Sequence, residues 1–234
     1  MRLLLTAALL PVLLLMWYIF RHDSVEKEPA GLLLRLALLG ALSCLPAALL
    51  ESLLSYFLIR IPTGTGWQIL LHAFFVVALS EEGIKLLFLK KATWRSPHFN
   101  YRFDGIVYAV FISLGFAALE NVLYVFSYGM DVAFSRALLA VPGHMTFSVF
   151  MGLHYANAKQ HALCGDTFSL RRSLRKALWI PVLLHGFYDY CLMSGSIVLA
   201  GAFLVFVLLL DTAAFLTVRR QSAQDSPLEE RFFF

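Results

Sequence analysis

The sequence predicts an all-α, polytopic transmembrane helix bundle of about seven spans, and three observations predict it. Sixty per cent of the 234 residues are hydrophobic and only 15% are charged, whereas about a quarter of the residues of a soluble globular domain carry charge. The apolar residues fall in unbroken runs of about twenty, the length that crosses a ~30 Å hydrocarbon core as a helix, whereas barrel strands run to about ten residues and alternate in polarity. Basic residues cluster between alternate runs and leave the intervening joints nearly free of them.

The first run, residues 3–20, has no small-x-small cleavage site after it and closes on Tyr18, Phe20 and Arg21. It reads as a retained anchor rather than a signal peptide. Residues 31–59 form the second run, and 66–89 the third, which stops at Lys90 and Lys91. Residues 104–128 follow Arg102, and 132–156 carry Pro142-Gly143 at their middle. Residues 174–193 begin among Arg175 and Lys176 and contain Pro181, and 196–218 close on Arg219 and Arg220. With no internal repeat, residues 1–234 read as one integral-membrane domain, with core helices over 67–190 and a cytoplasmic tail over 219–234.

Orientation follows from charge. Arg21 and Lys27, then Lys90 to Arg102, then Lys159 and the Arg171–Lys176 run, then Arg219, Arg220 and Arg231 fall on one side, against Arg2 and Arg60 on the other. The positive-inside rule places the amino terminus outside and the carboxyl terminus in the cytoplasm. The formal charge of +4 therefore encodes topology and not a nucleic-acid surface. Cys44, Cys164 and Cys191 are odd in number and widely spaced, which excludes a disulfide framework or a thiolate metal site.

Against this apolar background, three runs carry ionisable residues in their interiors: SEEGIK (80–85), GFAALENVLY (115–124) and LLHGFYDY (183–190). A charge at membrane depth costs a few kcal/mol or more unless it is paired, so such residues mark a polar site. Helix rise puts Glu81, Glu82 and His185 ~12–14 Å from the cytoplasmic boundary and Glu120 and His144 near mid-membrane, in one slab of the bilayer. Lys85 lies i+4 from Glu81 and i+3 from Glu82, so it can reach either carboxylate, leaving the other to face a cavity. Phe116, Glu120 and Tyr124 form an i,i+4,i+8 stripe, and His185 with Asp189 is a further i,i+4 pair. Pro142 beside His144 and Pro181 before His185 each remove a backbone donor and permit a break or kink.

Plainer explanations apply to each motif. A Glu–Lys pair can simply staple helices, although two adjacent acids exceed what one lysine needs. Glu120 with Asn121 can be an interhelical hydrogen-bond pair, His144 a satisfied core histidine, and Asp189 the partner of a packing histidine. Glu51 and Asp211 lie toward span ends and read as structural.

EEGIK fits an EExxK motif, FAALENVLY an FxxxENxxY motif and HGFYD an HxxxD motif, in that order on successive helices, with His144 on the helix between the last two. The set resembles the PrsW family of intramembrane proteases, itself distantly similar to the CAAX-protease and bacteriocin-processing membrane proteins, and the resemblance covers about half the chain. It implies a multi-pass protein of the bacterial inner membrane that makes the first, extracytoplasmic-side cut in a single-pass, membrane-anchored substrate such as an anti-sigma factor. Carried over by position, Glu81, Glu82, Glu120 and His185 are the implied catalytic residues, supported by Lys85, Asn121, His144 and Asp189. CAAX-type members have FxxxH where this chain has Glu120, which leaves the general base and any metal open.

Peptide hydrolysis needs an activated water, oxyanion stabilisation and a proton for the leaving amine. In the preferred reading Glu81 or Glu82, helped by Glu120, polarises the water and His185 donates the proton, with no cofactor required. The alternative places Zn²⁺ among Glu82, Glu120, His144 and His185. A proton- or ion-coupled transporter would also use intramembrane acids and a broken helix, but it calls for paired halves that this sequence lacks. A non-catalytic scaffold would have replaced a key acid, and none is replaced.

Overall fold

A computed structural model describes residues 1–61 and 64–229. These form seven helical rods, and no sheet occurs among the described residues. Helix α1 is Arg2–His22 and α2 is Ala30–Leu58. The third rod, α3, occupies residues 65–93: an α-helical turn at Thr65–Leu71, a π-helical stretch at His72–Ala78, and α-helix again over Leu79–Thr93. Helix α4 is Asp104–Tyr128, α5 is Met130–Leu163, α6 is Thr167–Met193 and α7 is Ile197–Ala223. Helices prevail because, in a bilayer core, every backbone N–H and C=O must be satisfied within its own segment.

Five rods are long and apolar enough to cross a membrane: α1, α2, α4, α5 and α7. The other two are those the charge pattern modifies. The third rod is divided by its π stretch, and α6 opens on Arg171, Arg172, Arg175 and Lys176. The rods also run past the predicted edges. Lys159 and the Arg171–Lys176 run are helical rather than in joints, since long basic side chains reach the interface from a helix that outlasts the hydrocarbon. Of the tail expected over 219–234, residues 219–223 belong to α7, residues 224–229 are non-helical, and Arg231 lies outside the described residues.

Helix α4 is the centre of the bundle. Its most apolar stretch is 72% buried, against 17% for α1 and 22% for α7. It packs on α1, α2 and α5, and α5 in turn packs on α6 and α7. Small residues set the closest approaches. A Cβ on Gly115 of α4 would overlap the Ala37 carbonyl of α2, and one on Gly40 of α2 would overlap the Ile112 carbonyl of α4. Gly105 of α4 meets Gly152 and Ala156 of α5 in the same way.

At the basic end the connections interlock. Asn100 Nδ2 donates to Glu26 Oε2 at 2.9 Å, the Phe103 N–H to Asp225 Oδ1 at 2.9 Å, and the Leu228 N–H to the Asn100 carbonyl at 2.7 Å. At the opposite end the joints are short. Helix α4 ends at Gly129, whose φ of 86° lies in the left-handed region that favours glycine, and α5 starts at once.

The two predicted proline effects differ. Pro142 has no N–H to offer the Leu138 carbonyl, and the turn just before it, Arg136–Ala140, is π-helical. Pro181 is buried inside α6, which continues through it without a break.

Candidate active site

Four elements bring their polar side chains to one place in the half of the bundle away from the basic loops. The π stretch of α3 leads directly into Leu79–Thr93, whose first turn presents Glu81 and Glu82 inward. Both are buried, as is Lys85 at 0% exposure. Lys85 Nζ donates to Glu81 Oε2 at 2.9 Å and to Glu82 Oε1 at 2.9 Å, so the lysine pairs with both acids rather than choosing one. The two acids differ in what else they meet. Glu81 lines a cavity, whereas Glu82 sits behind the cavity wall, and its Oε2 has no hydrogen-bond partner among the described residues.

Helix α6 adds His185. Its Nδ1 lies 3.0 Å from Glu82 Oε1, and its Nε2 lies 3.3 Å from Asp189 Oδ2. The ring stacks on Phe147 at 4.9 Å. Its neighbour Gly186 admits the Phe74 ring from the π stretch of α3, where any Cβ would clash. That contact seats α3 against α6 at the level of the imidazole.

Helices α4 and α5 complete the group. His144 Nδ1 is 3.1 Å from Lys85 Nζ, and its Nε2 is 2.9 Å from Glu120 Oε2. Glu120 also accepts from Arg136 NH2 at 2.7 Å. Arg136 Nε donates to Asn121 Oδ1 at 2.8 Å, and Asn121 Nδ2 donates to the Ala8 carbonyl of α1 at 2.7 Å. The predicted Phe116–Glu120–Tyr124 stripe faces the group throughout. Phe116 lies under Lys85 Nζ at 4.1 Å, and Tyr124 lies under the Arg136 guanidinium at 4.2 Å. One network therefore runs Asp189–His185–Glu82–Lys85–His144–Glu120–Arg136–Asn121, with Glu81 joined at Lys85.

The network borders a cavity of about 490 Å³, lined by Glu81, Glu120, Arg136, His144, His185 and Asp189 together with Glu51, His72, Tyr124 and Tyr188. All eight predicted site residues are thus in the network. Arg136 is the member that sequence reasoning left without a role, and an arginine inside a span was itself a signal that an acid lay opposite. Glu51, read as structural, lines the cavity as well.

The metal-ligand set differs from the predicted one. Among the described residues, Glu81, Glu82 and His144 offer donor atoms within 4.8 Å of one another. Glu120 meets the opposite ring nitrogen of His144, and His185 meets Glu82 from the far side of the network, so neither joins that cluster. Two carboxylates and an imidazole are donors of the kind a zinc-class ion accepts.

A carboxylate-rich site with two histidines, sunk among membrane-spanning helices and bordering a cavity of about 490 Å³, fits a membrane-embedded hydrolase. A family model described as "PrsW family intramembrane metalloprotease" matches residues 28–214. The chain is 37% identical to Protease PrsW of Clostridioides difficile over 80% of its own length and 77% of the relative's. It is 35% identical to the proteins of the same name from Oceanobacillus iheyensis and Bacillus subtilis, over 82% of its own length in each case and 84% and 83% of theirs. No solved structure matches the chain. The chain belongs to the PrsW family of intramembrane proteases. Family membership also removes the transporter alternative.

Proposed function

We propose that the protein cleaves a single-pass, membrane-anchored substrate near the extracytoplasmic face of a bacterial inner membrane, using a water activated by Glu81. The observation that carries this reading is the position of Glu81: one oxygen is fixed by Lys85, and the side chain lines the cavity. Glu82 is fully enclosed and holds His185 instead. In this reading Glu81 accepts a proton from the attacking water. His185, with a carboxylate facing each ring nitrogen, delivers the proton at Nε2 to the departing amine. Arg136, at the cavity wall, offers charge to the developing oxyanion.

Depth supports the side of cleavage. Tyr124, Met193 and Glu51 in the cavity wall come from the last turns of α4, α6 and α2, before the joints poor in basic residues. With the orientation set by the positive-inside rule, that half faces out of the cytoplasm. Such a site suits a first cut on the outer side of a substrate such as an anti-sigma factor, the substrate class that the family resemblance implies.

A metal-dependent version rests on the three converging donors and on the family's description. Glu81, Glu82 and His144 would hold the ion, which when bound supplies Lewis-acid polarisation of a water and of the scissile carbonyl. The remaining roles stay with His185 and Arg136 in either version.

The test compares membrane-protein fragments in cells expressing wild type or Glu81→Gln at equal levels. Fragments made only by the wild type are expected, with new ends on the outer side of a transmembrane segment. Identical fragments in both would remove Glu81 from the chemistry, and ends on the cytoplasmic side would overturn the assigned orientation.

A further inference from the structure

Lys85 occupies the point at which a metal would sit. Its Nζ lies 2.9 Å from Glu81 Oε2, 2.9 Å from Glu82 Oε1 and 3.1 Å from His144 Nδ1. Those residues are the same three whose donor atoms cluster within 4.8 Å. An ammonium has three N–H donors, so three partners use all of them. Its remaining side is closed by the Phe116 ring, 4.1 Å from Nζ, a contact that suits a cation. The lysine is wholly enclosed and reaches the point from Leu79–Thr93, the helical segment that also carries both acids.

A metal ion needs donors at about 2.0–2.2 Å and cannot share this point with an ammonium whose bonds to the same donors measure 2.9–3.1 Å. We propose that Lys85 is the resident cation of the site: it assembles Glu81, Glu82 and His144 into a metal-like arrangement, and a divalent metal can enter only by displacing it. The inference builds on the site described above, but it concerns metal affinity, which is measured without turnover and stands or falls separately from the protease reading.

Two consequences follow. Metal removal should leave the wild-type fold intact, because the lysine already bridges the two carboxylates. Removing the lysine should leave a buried carboxylate pair in need of a cation, and a metal should then bind better than in the wild type.

The test uses the full chain in detergent micelles, with zinc alone titrated against a chromophoric chelator and cobalt(II) absorption reporting the ligand set. Lys85→Met keeps most of the unbranched stem of the side chain and removes the ammonium. It should bind zinc at least tenfold more tightly than the wild type, and zinc should raise its unfolding temperature more. Equal or weaker binding by Lys85→Met would overturn the proposal, because the lysine would then be supporting the metal or irrelevant to it. A Lys85→Met protein that fails to fold both with and without zinc would overturn it as well, since a metal would then be unable to stand in the lysine's place. Lys85→Arg, which keeps the charge, should bind zinc no more tightly than the wild type; a gain as large as that of Lys85→Met would show that side-chain shape, and not charge, controls entry.

Discussion

Glu82 and His185 lie 103 positions apart in the chain, yet Glu82 Oε1 stands 3.0 Å from His185 Nδ1. This bond assigns the two adjacent acids different work. Glu81 meets the cavity, and Glu82 fixes the imidazole from behind.

Glu81→Gln should therefore lower cleavage at least a hundredfold at a smaller cost in stability than Glu82→Gln, because Glu81 loses only its bond to Lys85. Glu82→Gln should lose activity and stability together. It disturbs the bonds to both Lys85 and His185 in a fully enclosed position, and breaking a buried pair typically costs about 3–5 kcal/mol. Cleavage in proteoliposomes, set beside unfolding curves of both variants, separates the two. Equal loss of stability in both would remove the distinction.

Much of this was legible in the sequence, and for physical reasons. Polar residues inside apolar runs have few explanations in a bilayer, so Glu81, Glu82, Glu120, His144 and His185 stood out by residue type and helical spacing alone. Partner choice was less legible. That Lys85 bridges both acids and also meets His144 depends on the tertiary approach of α3 to α5 across 59 positions of sequence, and the π stretch at His72–Ala78 was equally hidden. No proline announces that stretch; instead Phe74 fills the space left by Gly186. The pairing of Glu120 with Arg136 was likewise hidden, because it spans two helices.

Arg136 should act on Glu120 through charge and on Asn121 through direction. Arg136→Lys keeps the cation but loses the Nε bond to Asn121, while Arg136→Gln leaves Glu120 with His144 alone. Cleavage should fall in the order wild type, Lys, Gln, with the glutamine variant down by roughly two orders of magnitude, as for loss of an oxyanion donor. Glutamine and lysine variants of equal activity would argue against a role for the charge.

Gly115 and Gly186 test packing near the site in two ways. A Cβ at Gly115 would run into backbone, the Ala37 carbonyl, which cannot rotate away. Gly115→Ala should cost about 1–3 kcal/mol by forcing α2 from α4. At Gly186 the obstacle is the Phe74 side chain, which can turn aside. Gly186→Ala should cost less stability but shift His185 relative to Glu82, lowering cleavage. Circular-dichroism melts and proteolysis rates on the same samples would show the contrast.

The basic end of the bundle should give the protein a pH-dependent stability unrelated to catalysis. Asp23 and Glu28 sit in the α1–α2 connection, 0% and 6% exposed. Burial pushes both carboxyls above the ordinary carboxylate range. The Glu28 N–H and Lys27 pull Asp23 partly back, and the Tyr108 hydroxyl and His98 do so for Glu28, while the charges of Asp225 and Glu26 push Asp23 further up and those of Asp23 and Glu26 push Glu28 up. Asp23 Oδ1 and Glu28 Oε2 have no hydrogen-bond partner among the described residues. A carboxyl with a raised pKa in the fold binds its proton more tightly there than in the unfolded chain. Its contribution to stability is complete below the ordinary carboxylate pKa of about 4 and is lost as pH rises through the folded value. Glu28→Gln removes that loss while its amide oxygen still accepts from Tyr108, whose hydroxyl bonds Glu28 Oε1 at 2.6 Å. The variant should melt higher than the wild type at pH 8, by roughly 2–4 °C for ~1 kcal/mol in a chain of this size, and the gain should vanish toward pH 4. Melting curves at both pH values decide it: a gain that persists at pH 4 would mean that packing, and not ionisation of Glu28, sets the difference.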